Sequence, residues 1–172
     1  MKRIYLSTLI LLFTASLKAQ TNDIFNAVRT NNSDALKSYI KAGKNIDSVN
    51  QSGHTLLILA VYNNSFEAAK LLIAAKANLN LQDQAGNSAL MGACFKGYLP
   101  LAALLLTSGA LPNQTNSNGA SALFFAATFG HPDLVQLLLE NKGDKTIRDR
   151  FGKMAVDYAR GQGNEVIVSL LE

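Results

Sequence analysis

One cysteine, two histidines and three prolines are all that 172 residues hold of these types. The lone Cys94 has no partner for an internal disulfide, so packing alone must hold the fold. Its Ala-rich surroundings mark it as a small core residue rather than a reactive thiol. His54 and His131 lie 77 residues apart, and neither has a carboxylate or cysteine at metal-ligand spacing. No glycine-rich phosphate loop with a lysine is present. The fragments "GNSAL" and "GASAL" lack the second glycine of a nucleophile elbow. The chain is therefore expected not to be an enzyme, with no catalytic residue, no cofactor and no metal.

Charge is also sparse. The 16 Lys and Arg against 12 Asp and Glu give a basic chain, but the excess sits at the start. "MKR" is a positive cap, "IYLSTLILLFTAS" an apolar stretch and "LKAQ" a small-residue exit, the layout of a secretory signal peptide over residues 1–19. The apolar part is shorter than the roughly 20 residues of a spanning helix. Cleavage after Ala19 would leave Gln20 first and remove Lys2, Arg3 and Lys18, so the mature chain carries 13 cations against 12 anions. No cysteine near the cleavage region offers a lipid anchor. No clustered basic face recommends a nucleic-acid partner. Around residues 142–153, cations alternate with Glu140, Asp144 and Asp149, as in a solvated loop. An uncleaved N-terminal membrane anchor is the alternative.

The stretch "GNSALMGACFKGYLPLAALLLTSGA" is long and apolar enough to suggest a membrane span, yet Lys96, Gly97 and Pro100 interrupt it. Its explanation is a repeat. Gly53, Gly86, Gly119 and Gly152 are each 33 residues apart, as are Ala27, Ala60, Ala93, Ala126 and Ala159. The apolar series Ile24, Leu57, Leu90, Leu123 and Val156 keeps that register, and so does Asn31, Asn64, Gly97, Gly130 and Gly163. The first glycine precedes Thr55, Ser88 or Ser121, which suggests a turn into a helix N-terminus. The Asn/Gly column suits a left-handed helix end, so a first helix of about two turns is predicted between them. A second helix, nearly all apolar, follows in "SFEAAKLLIAA", "YLPLAALLLTS" and "HPDLVQLLLEN", with most of its circumference expected to be covered. Pro100 and Pro132 fall in its first turn, where a missing N–H costs nothing. Polar segments such as "ALPNQTNSNGA" suit protruding turns. One such unit cannot bury its own apolar face, whereas a stack can.

The segments "GHTLLILA", "GNSALMGA", "GASALFFA" and "GKMAVDYA", the "FGH" at Phe129–His131 and the paired leucines of each second helix resemble the ankyrin-repeat family. The resemblance covers residues 21–172 and implies an all-α solenoid of about five helix-turn-helix units with β-turn fingers. The units are a leading 21–49, then 50–82, 83–115 and 116–148, and a closing 149–172. No unit keeps the family's Thr-Pro-Leu-His. Its Pro is Leu56, Ala89, Ala122 or Ala155, and its His is Ile58, Met91, Phe124 or Asp157. Fewer inter-unit hydrogen bonds and moderate stability are implied.

Binding is the function left. Residues two places beyond the repeated alanine lie about 200° around the helix from it, opposite the buried side. These are Tyr62, Phe95 and Thr128, followed by Asn63, Lys96 and Phe129. The resemblance puts them on a partner-facing groove, together with the turn residues Gln51, His54, Gln84, Asn87, Asn118, Arg150 and Phe151. Aromatics at solvent-facing positions are favoured anchors, and Tyr62, Phe95, Phe129 and Phe151 could form a ladder across units. The bland alternative is that some of these rings tuck back against neighbouring helices. A monomeric protein-binding module in the periplasm of a Gram-negative bacterium is the leading expectation. Its partner would be another protein, with neither nucleic acid nor, after cleavage, membrane involved. Small exported bacterial ankyrin proteins resemble accessory factors of periplasmic enzymes, catalases among them, or immunity proteins that neutralise a toxin. A membrane-tethered scaffold is the other class.

Overall fold

A computed structural model describes residues 24–172. The signal segment and its cleavage after Ala19 lie outside the described residues, as do the first residues of the leading unit. The chain is an all-α solenoid of about five helix pairs. Helix α1 (residues 24–29) pairs with α2 (Ser33–Lys41). The following hairpins are α3 (Leu56–Tyr62) with α4 (Phe66–Ala74), and α5 (Ala89–Lys96) with α6 (Leu99–Thr107). Then come α7 (Ala122–Thr128) with α8 (Pro132–Glu140), and α9 (Ala155–Gly161) with α10 (Glu165–Leu171). The membrane-like stretch is the α5–α6 hairpin, and among the described residues no helix is long and apolar enough to cross a membrane.

Local chemistry sets these boundaries. Thr55 Oγ1 and Ser88 Oγ accept the Ile58 and Met91 amides at 3.1 and 3.4 Å, capping α3 and α5. Ser121 holds the same place before α7 but makes no cap bond. At the far end of each first helix the chain reverses through a left-handed residue, such as Asn64 at φ 53° and Gly97 at φ 74°. Pro100 and Pro132 occupy first-turn positions of α6 and α8.

Helices α3, α5, α7 and α9 pack side by side in one layer, and α2, α4, α6, α8 and α10 in a second. The repeated apolar and alanine columns are buried between neighbours throughout. Alanine at the tightest point lets helices approach closely, so Ala60, Ala93, Ala126 and Ala159 are fully covered. Cys94 lies beside them, and burial pushes its thiol pKa up, which keeps it inert. The second layer is covered less completely than its composition predicts. In α6, Leu101, Ala102, Leu105 and Leu106 are buried, but Leu99 and Pro100 face outward. Among the described residues no helix covers the outer side of α6.

The connecting turns are tighter than fingers built from strands. Their arms are joined by single backbone hydrogen bonds such as Asn116 N–H to Ala120 O and Asp149 N–H to Lys153 O, and in two of them also by an isolated antiparallel bridge, Val49 with Thr55 and Gln82 with Ser88. An Asx side chain organises each one. Asn50, Asp83, Asn116 and Asp149, again 33 apart, each accept two amides of their own turn at 2.9–3.1 Å. Inter-unit hydrogen bonds run through these loops and, at the first hairpin, through Asn31, whose side chain accepts the Ala68 amide at 3.0 Å. Ser117 N–H donates to Ala85 O at 3.1 Å, and Arg150 N–H to Asn118 O at 2.9 Å. On the opposite edge, Asp47, Asn80 and Asn113 accept from Asn78, Leu111 and Asp144 at 2.7–3.0 Å. Where the tetrapeptide histidine would stand, Ile58, Met91 and Phe124 fill the core instead.

Candidate functional site

The face of interest forms where the ends of α3, α5 and α7 meet the preceding turns. Tyr62 closes α3, half-buried, and its ring lies over Gly92 of the next first-layer helix. A Cβ at Gly92 would come within 3.2 Å of that ring, so the absent side chain makes the seat. From Tyr62 the rings run on through Phe95, with centroids 6.5 Å apart, to Phe129 at 4.6 Å. These are packing distances for edge and tilted aromatic pairs. Phe95 remains 37% exposed and Phe129 48%. The rings thus pack on each other and still face solvent, combining the two expectations for them.

His54 extends the row on one side, its ring 5.9 Å from that of Tyr62. Its Nε2 stands 3.7 Å from Asp83 Oδ2, across the boundary between two turns. Burial raises the Tyr62 phenol above its ordinary pKa, and the Asp83 carboxylate adds to the effect. Phe125 joins from α7, edge-on to Phe95 at 6.4 Å.

Phe151 departs from the expected ladder. It is 67% exposed and stacks under its neighbour Arg150, whose guanidinium carbon lies 4.7 Å from the ring centre. Tyr158 on α9 belongs to a separate pair, 5.8 Å from the core residue Phe124. The Tyr158 hydroxyl donates to Asp149 Oδ2, which holds the phenol pKa up; burial and the Asp149 and Asp157 charges add to this, and the Arg150 charge opposes it. Among the described residues no ring of another unit pairs with Phe151.

The other expected residues divide by role. Lys96 is exposed at the end of α5, its ammonium 5.6 Å from the Phe95 ring centre. Thr128, half-buried, ends α7. The Asn63 amide donates to Leu59 O at 2.8 Å and so serves its own helix end. Asn87 Oδ1 accepts from Asn116 Nδ2 at 2.9 Å, Gln84 Nε2 reaches Gln51 O at 3.4 Å, and Asn118 supplies the carbonyl for Arg150. These turn residues tie units together as well as facing outward. His131 stands at the start of α8 without a side-chain cap bond, its ring packed against Gly97 of the preceding hairpin.

Asp83, Phe125 and Tyr158 escape a reading based on helix faces. The signal for Asp83 was its Asx column. Phe125 and Tyr158 share a column with Leu59 and Gly92, whose unlike residue types hide the register. Among the described residues no group of three His, Cys, Asp or Glu could hold a metal ion.

The family model for ankyrin repeats (3 copies) matches residues 24–116 and again 91–172. No curated protein matches the chain. Ankyrin repeats are non-catalytic scaffolds that typically mediate protein–protein interaction. With both matches falling on the stacked hairpins and jointly reaching the last residue, the chain belongs to the ankyrin-repeat family.

Proposed function

We propose that this protein is a binding module whose partner, another protein, seats on the concave face formed by the ends of α3, α5 and α7 and the turns before α3, α5, α7 and α9. It works in the periplasm of a Gram-negative bacterium, as a monomer. One observation carries the choice of face: Tyr62, Phe95 and Phe129 make an unbroken row of rings across three successive units while two of them stay open to solvent. Large rings prepositioned by their neighbours lose little freedom on binding, which is why such residues dominate interface energies. The export proposal is supported by the charged, apolar and small-residue blocks of residues 1–19.

Capture from a periplasmic extract tests the face. The wild-type protein should retain a defined partner that a Tyr62→Ala/Phe95→Ala variant, shown by circular dichroism to be folded, releases. Equal retention by both would rule out this face. Intact mass of the same preparation should start at Gln20; a chain starting at Met1 would point to a membrane tether. The partner's identity separates an accessory role towards a periplasmic enzyme such as a catalase from neutralisation of a toxin.

A further inference from the structure

We infer that the partner presents an acidic segment to this face, one in which carboxylates flank apolar side chains. The inference rests on the binding-module reading above and adds the chemistry of the ligand.

Charge is distributed unevenly between the two helix layers, although the totals nearly balance. The outer layer exposes five carboxylates on four helices, at Asp34, Glu67, Asp133, Glu140 and Glu165, against three cations, Lys37, Lys41 and Lys70, the first of them paired with Asp34. On the ring-bearing side, the carboxylates are already engaged within the chain. Asp83 has a side chain only 7% exposed, with two turn amides on one oxygen and His54 beside the other. Asp149 accepts two amides and the Tyr158 hydroxyl. Asp157 accepts the Met154 amide at 2.9 Å and meets Arg160 at 3.3 Å.

On that side Lys96, Arg150 and Lys153 are exposed and make no close ion pair among the described residues, although the Lys153 charge already helps keep the Asp149 carboxyl ionised. Each lies over an aromatic ring, at 5.6, 4.7 and 5.6 Å from the ring centre. A ring under a cation holds it in place and shields one side from water, so an incoming carboxylate finds a partly desolvated partner. Lys96 stands at the end of α5, whereas Arg150 and Lys153 belong to the turn before α9, two units along. The equivalents of Lys96 in the adjacent hairpins are Asn63 and Phe129, and those of Arg150 are Gln84 and Ser117. The pattern is two cationic points at separate places on a mostly apolar and amide-rich face.

Nucleic acid fits that pattern poorly. A phosphate backbone calls for a cation at every step, and unpaired bases call for open ring faces. Here the central rings meet edge to face, Phe95 with Phe125 at 85° and with Phe129 at 78°.

The probes are a fluorescent peptide of about ten residues alternating Glu and Leu, its Lys–Leu counterpart, and an oligothymidylate of equal charge, each titrated into the cleaved protein. The Glu–Leu peptide should bind at least about tenfold more tightly than either alternative, with affinity falling as salt rises. Lys96→Glu/Arg150→Glu should abolish that preference, and exposure of both side chains leaves the fold intact. Absent or equal binding of the two peptides, an unchanged preference in the variant, or equal binding of the oligonucleotide would each overturn the inference. The captured partner separates the two proposals. If Tyr62→Ala/Phe95→Ala releases it and the charge reversal does not, the module stands and its acidic ligand falls. If neither variant releases it, both fall.

Discussion

At position 149 one carboxylate does three things. Oδ1 accepts the Phe151 and Lys153 amides and so shapes the last turn, while Oδ2 takes the Tyr158 hydroxyl and ties that turn to α9. Burial opposes ionisation, but the phenol, the two amides and the Lys153 charge together outweigh it and hold the pKa below the usual carboxylate range. A carboxylate depressed in the folded state adds stability that is complete above its unfolded pKa of about 3.9 and is lost as pH falls through the folded value. Asn50 and Asn116 show that an amide can shape the turn. Asp149→Asn should therefore keep the turn but lose the charge. The variant should melt below wild type at neutral pH, with the gap closing as pH drops from about 5 towards 2. A gap that stays constant over that range would show that ionisation of Asp149 is not coupled to folding.

Two glycines in the turns share a conformation but not a neighbour. Gly86 sits at φ +81° and Gly152 at φ +74°, both left-handed. A Cβ on Gly86 would meet Ser117 N at 2.7 Å and the Asn116 Cα at 3.0 Å, whereas one on Gly152 would meet nothing within 4 Å. The alanine variants thus separate backbone strain from stacking. Gly152→Ala should cost roughly 1–2 kcal/mol, the strain of a left-handed residue with a side chain. Gly86→Ala should cost at least about 1 kcal/mol more, because the next turn must retreat and the Ser117-to-Ala85 hydrogen bond with it. Urea midpoints of the two variants measure the difference, and equal values would mean that adjacent turns do not bear on each other as described.

Among the described residues each hairpin packs mainly against its neighbours in the stack, so the repeat length is the quantity that must be preserved. Removing residues 83–115, one full period, should bring α3 against α7 in register and leave a folded, shorter stack. Its urea m-value should fall with the surface it no longer buries, and its ring row should be cut by the loss of Phe95. A molten product from this 33-residue deletion would show that the hairpins are not interchangeable in packing. The same linearity explains why the fold was readable early: glycine, alanine and leucine columns at one period name a helix pair and its buried side before any contact is known. The face was half readable. Tyr62, Phe95 and Phe129 followed from angular position on a short helix, but Phe151 did not join them. Its ring pairs with the adjacent Arg150 instead, a contact that its place in the repeat does not record.

Period, helix polarity and burial were settled within the chain's linear pattern, because each depends on residues a few places apart repeating in step. Which rings would touch, which carboxylates would be engaged at home and which cations would stay free required three dimensions. Those outcomes depend on side chains about 33 residues apart in sequence that stacking brings within a few ångströms. A one-dimensional pattern records that such residues are equivalent, but the distance between them is set by how closely the alanine-lined helices pack.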